Sequence, residues 1–105
     1  MVSYKGKNVL KGKELFMNAV VTVVGKDGVG IVAKVANECA SYGANIADIS
    51  QSVLKDYFAM IMIVDIEKLT VPFTSFVDAM KQLGDKTGLS ISAMHEDIFN
   101  SMHKI

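Results

Sequence analysis

The sequence predicts an α+β domain in which two helices cover one face of a four-stranded antiparallel sheet. Three observations carry that expectation. Two runs, Ala19 to Val24 and Tyr57 to Asp65, are apolar on nearly every position, as strands buried on both faces are. Two other stretches, about 29–42 and from Thr70 to Gly88, repeat apolar residues at helical spacing. Only Lys55-Asp56 separates the second strand from the third, which is hairpin spacing and makes the two antiparallel.

Each element has its own signature. Strand one, about 18–24, ends at Gly25. Helix one presents Ile31, Val35, Cys39 and Tyr42 on one face, and Gly43 sits where a helix C-terminal glycine belongs. Strand two runs from Asn45 or Ile46 to Leu54. Its parity is mixed, since Ile46 is out of phase with Ile49, so a bulge is expected near Ala47. Thr70 and Pro72 open helix two, whose stripe is Phe73, Phe76, Val77, Met80 and Leu83. Strand four alternates, with Leu89, Ile91 and Ala93 in and Ser90 and Ser92 out. In the tail, Met94, Ile98, Met102 and Ile105 form one stripe, which predicts a short amphipathic terminal helix.

The order β-α-β-β-α-β is the split βαβ, or ferredoxin-like, sandwich. Right-handed crossovers give sheet order 4-1-3-2, with strands one and three central and two and four at the edges. The patterns agree, because strands one and three are the uniformly apolar ones. One sheet face then has no helices, and central Val, Ile and Met side chains would be exposed on it. The tail helix, a second copy of the chain, or both should cover that face.

At 105 residues the chain is long enough for one core but not two. Half of it is hydrophobic, which argues against disorder. Net charge is zero overall, yet Lys5, Lys7, Lys11 and Lys13 against Glu14 give the first sixteen residues +3 and leave −3 for the rest. A body of that sign is a poor nucleic-acid binder. RNA recognition through the sheet would also need exposed aromatics on the central strands, and strand one has none. Residues 1–16 read either as a mobile or non-native start or as a basic arm that touches a partner. Cys39 is the single cysteine, so an internal disulfide is excluded, and its place on the apolar helix face makes it a small core residue. No signal peptide or membrane-length apolar run is present, so a cytoplasmic protein without membrane contact is expected. His95, Glu96 and His103 suggest a metal, but residues eight apart on a helix lie about 12 Å apart along its axis. They read as tail-surface residues or as half of an intersubunit site. No metal or other cofactor is expected.

The chemistry concentrates in the loop Gly25-Lys26-Asp27-Gly28-Val29-Gly30-Ile31-Val32, which turns strand one into helix one. A helix N-terminus there directs unpaired N–H groups and the positive end of the macrodipole outward. Its glycines let a carboxylate or phosphate approach the backbone. Gly28-x-Gly30-x-x-Ala33 fits the dinucleotide fingerprint, with Asp48 about twenty residues on. The antiparallel hairpin and the short chain exclude the parallel sheet that fingerprint needs. The chain also contains no arginine, so an anionic ligand would be held by backbone N–H groups or lysine.

Gly25-x-Asp27-x-x-Gly30-Ile31-Val32, followed by Gly43-x-Asn45-Ile46-x-Asp48-Ile49-x-Gln51, resembles the ACT domain, a small regulatory module that binds amino acids. The resemblance spans about 17–105. It is nearest to short stand-alone ACT proteins and to the ACT domains of the glycine cleavage system repressor and formyltetrahydrofolate deformylase. Where that family often has a basic residue and a proline, this chain has Gly28 and Val29. The resemblance implies a homodimer or higher homo-oligomer, with the ligand between the loop of one subunit and the second strand of its neighbour. The implied ligand-binding set is Asp27, Gly28, Val29, Gly30, Ile31, Asn45, Ile46, Asp48 and Gln51. In it, N–H groups of Val29, Gly30 and Ile31 would take the carboxylate, and Asn45 with Asp48 the ammonium. Asp27 reads equally as a helix N-cap, Asn45 as a positive-φ residue after the helix, and Asp48 and Gln51 as edge-strand or dimer-packing residues.

Two functions follow. The first is a non-enzymatic sensor that binds a small amino acid and relays occupancy to a regulated protein partner. The second is a ligand-free scaffold or interaction module. No Ser-His-Asp or Cys-His constellation supports an enzyme.

Overall fold

The computed structural model describes residues 17–26 and 28–102. The expectations for residues 1–16, Asp27, His103 and Ile105 lie outside the described residues.

Strands β1 (Asn18–Gly25) and β3 (Tyr57–Asp65) form the middle of a four-stranded sheet, with β2 (Asn45–Leu54) and β4 (Ser90–His95) at the edges. The order β2-β3-β1-β4 is the expected one read from the other edge, and every pairing is antiparallel. Helices α1 (Ile31–Ser41) and α2 (Phe73–Thr87) follow β1 and β3, and α3 (Glu96–Met102) follows β4.

The core lies between the sheet and α1 and α2. Across one row of the sheet, Ala93, Val21 and Met62 stand side by side, continued by half-buried Ile49. Helix α1 lowers Ile31, Val35 and Cys39 onto such rows, and α2 lowers Phe76, Ala79 and Met80. Phe76 is fully buried between the rings of Tyr42 and Phe73, with centroids 6.3 and 6.2 Å away. The Cys39 thiol is buried, and desolvation first, then the nearby Glu38 charge, pushes its pKa up to about 11. It is an inert core residue, as its helix position suggests.

The parity clash in β2 is a real irregularity: the register with β3 shifts between Ile46 and Asp48. Lys55, at the hairpin tip, takes φ 56°. Gly43 follows α1, its N–H bonding Ala40 O at 3.1 Å.

Four details differ from expectation. Helix α1 begins at Ile31, not near 29, because Gly30 adopts a left-handed conformation and holds the cap position. Thr70 does not open α2. Its N–H and hydroxyl both bond Tyr42 O, at 2.8 and 3.1 Å, and Pro72 stands at the cap. Met94 and His95 are strand rather than helix, because they pair with Val20 and Ala19 of the central strand. The methionines of β3, Met60 and Met62, face the helices and are buried, so they are not part of the open face. On that face α3 packs against β1 and β4, and Val20 is only 1% exposed, while Val24 and Ile61 remain exposed.

Candidate functional site

The β1–α1 turn is built around two glycines. Gly30 has φ 73° and ψ 0°, a conformation that costs an L-side chain energy. A Cβ at Gly28 would stand 2.5 Å from the Phe58 ring, so that glycine lets the loop lie directly on the aromatic face. The Gly28 carbonyl accepts Ile31 N–H at 3.1 Å, and the Gly30 carbonyl accepts Lys34 N–H at 3.2 Å. The Ile31 N–H is therefore engaged inside the turn, and its side chain is buried in the core. Val32 and Ala33 lie in the first helical turn, where N–H groups as a rule lack a partner within the helix. Val29 projects outward, 87% exposed.

The second half of the expected set lies elsewhere. Asn45 pairs with Asp65, which pairs with Asn18 at the start of β1. The loop leaves from the other end of β1, where Gly25 pairs with Phe58 and Phe58 with Val53. Seven strand steps separate Asn18 from Gly25, about 23 Å at strand rise. Within one chain, Asn45, Ile46 and Asp48 therefore do not meet Gly28, Val29, Gly30 and Ile31. Asn45 and Asp48 are exposed, and Ile46 packs on the core edge. One Asp48 carboxylate oxygen accepts the N–H of Ile49 at 2.9 Å. Gln51 stands between the two ends, exposed opposite Met60.

What does meet the loop is the β2–β3 hairpin. Lys26, Gly28, Val29, Val53, Lys55, Asp56, Tyr57 and Phe58 line a groove of about 530 Å³. The Lys26 ammonium lies 5.8 Å from the centre of the Tyr57 ring, a cation–π distance. Sequence reasoning missed the hairpin's share. The signal was available: antiparallel pairing of β1 with β3 necessarily sets the start of β3 beside the end of β1, where the loop begins.

At the far end, His95 packs edge-on against Phe73, and its Nδ1 accepts Asp97 N–H at 3.1 Å. Among the described residues no group of three His, Cys, Asp or Glu side chains could hold a metal ion. No helix among them is long and apolar enough to cross a membrane.

The ACT domain family model matches residues 18–93. A UPF0237 protein of Clostridium perfringens is 48% identical over 89 residues, covering 85% of this chain and all of that one. Among solved structures, an ACT domain protein from Streptococcus pneumoniae superposes with a TM-score of 0.70 at 40% identity, over 79% of this chain and 93% of that one. Two more distant structures share the fold. A formyltetrahydrofolate deformylase from Pseudomonas syringae pv. tomato matches at TM-score 0.67 and 22% identity, over 83% of this chain and 29% of that one. A putative glycine cleavage system transcriptional repressor matches at TM-score 0.64 and 23% identity, over 78% of this chain and 47% of that one.

Proposed function

This chain belongs to the ACT domain family, and from that premise we propose that it is a non-enzymatic, cytoplasmic sensor. It binds a small amino acid between two copies of itself and signals occupancy to a protein partner. The observation that carries the reading is the division of the site. The loop and the Asn45 end of β2 lie at opposite ends of the sheet, and β2 is an edge strand in which only Ile46 and Ile49 are half-buried. An exposed edge strand invites pairing with another strand. A two-fold axis near Ile49 would set Asn45 of the partner subunit opposite Val53, beside the loop. Each separated half is then completed by the other subunit.

In such a dimer the carboxylate meets the N–H groups around Gly30 and the first turn of α1, where the helix dipole favours negative charge. The partner subunit's Asn45 faces the ammonium, and the partner's Asp48, opposite Ser50 near the axis, adds negative charge from farther along the edge. Val29 flanks the entrance, Ile31 anchors the turn in the core, and Ile46 and Gln51 line the shared edge. A relay to a protein partner has a candidate surface in Val24 and Ile61 on the helix-free face, which equally suits a ligand-free interaction module.

A thermal-shift screen of the twenty amino acids, followed by sedimentation, separates these readings, because a ligand of the native state stabilises it by mass action. The sensor requires a dimer and at least one stabilising amino acid. A dimer that no amino acid stabilises favours the scaffold, and a clean monomer refutes the two-copy site.

A further inference from the structure

We propose that the groove between the β1–α1 loop and the β2–β3 hairpin is a side-chain subsite, and that it selects an α-amino acid with an apolar side chain. This rests on the sensor reading above and narrows its ligand. Val53 stands opposite Phe58, on the sheet face that α1 and α2 cover elsewhere. Yet Val53 is 73% exposed, because α1 begins only at Ile31 and the sheet continues past it. Val29 faces solvent beside it, and Phe58 lies beneath Gly28. These apolar walls form one continuous groove rather than scattered surface residues.

The rim carries charges of both signs. Lys26 and Lys55 add a weak attraction for the carboxylate held at the N–H groups around Gly30, and Asp56 adds one for the ammonium. A zwitterion with an apolar side chain matches that arrangement, whereas an acidic side chain would have to leave water for Val29 and Val53. Burying each methylene is worth roughly a fourfold gain in affinity, so leucine should exceed glycine by at least about tenfold even in an open groove.

The test is calorimetric titration of the full chain with glycine, serine, aspartate, valine, leucine and phenylalanine, at concentrations up to about 10 mM. It is repeated on Val53→Ser and Val29→Ser, both at exposed positions that folding should tolerate. The expected result is an apolar preference of about tenfold that falls to within about twofold in either variant, because leucine, valine and phenylalanine lose more affinity than glycine does. Binding without apolar preference, or equal loss for every amino acid in the variants, overturns the subsite and leaves the sensor intact. No binding by any amino acid overturns the sensor and the subsite with it. If Val53→Ser dissolves the dimer while Val29→Ser keeps the full apolar preference, Val53 packs between copies and the subsite is wrong.

Discussion

Replacing Gly30 isolates the backbone term of the loop, because a Cβ there meets nothing within 4 Å. The cost of a side chain then comes only from φ 73°. For alanine the left-handed conformation costs about 1–2 kcal/mol. The stiffer unfolded chain returns about 0.4–1 kcal/mol of that. The net for Gly30→Ala is about 1 kcal/mol, or about 4–8 °C in Tm for a domain of this size. Gly30→Val should cost about 2 kcal/mol, since a β-branched residue at positive φ is a true outlier. Gly30→Asn should cost least, because asparagine visits this region readily. Urea denaturation at one fixed protein concentration reads the ladder, with the slope unchanged and only the midpoint moving. The same variants then go to titration, where Gly30→Val should lose amino-acid binding and Lys26→Ala should lose far less. Equal stability of the valine and asparagine variants would mean that the loop relaxes to negative φ. Lost binding in Lys26→Ala with intact binding in Gly30→Val would refute the backbone model of anion reception.

Gly28→Ala drives a methyl group into the Phe58 ring and should cost about 1–3 kcal/mol by overpacking, with Phe58→Leu restoring part of it in the double variant. Cys39 should resist thiol reagents in the native state and react only as fast as the chain opens. Its thiol stays protonated in the fold up to about pH 11 but ionises near 9 once exposed, so the unfolded state holds fewer protons in that window and stability falls from pH 9 to 11. A chain with Cys39→Ala should show a flatter stability profile over that window, and an identical slope would show that Cys39 is not responsible. A chain beginning at Met17 should melt within a few degrees of the full one, provided Met17 keeps its carbonyl bond to Ile66 N–H at 2.9 Å. A large drop would show that residues 1–16 contribute to the folded domain.

Periodicity made the sheet legible. Val20, Val21, Val23 and the Met60–Val64 run are apolar regardless of parity, which only a central strand tolerates, and both strands are central. The bulge was legible from the phase conflict of Ile46 and Ile49. The tail was misread because Met94, Ile98 and Met102 keep helical spacing while Met94 gains more from pairing with Val20 on the central strand. The candidate site was legible as a loop and a strand block, since glycine spacing and the Asn-Ile-x-Asp run are local features. The engagement of Ile31 N–H by Gly28 and the approach of the hairpin were not, because both depend on where the third strand ends in space.

The irregularity near Ala47 has a consequence for solubility. An exposed strand as long as β2 could template indefinite growth if the far edge of another molecule fitted it head to tail. The bulge leaves an unbroken register with β3 only over Asp48–Leu54, and the opposite edge, β4, is short and runs directly into α3. A bulged strand and a short, helix-terminated one are poor mates. Pairing of β2 with β2 would instead occupy that edge in both copies at once and leave only the short β4 edges outside, so the bulge biases association toward a closed pair over a fibre.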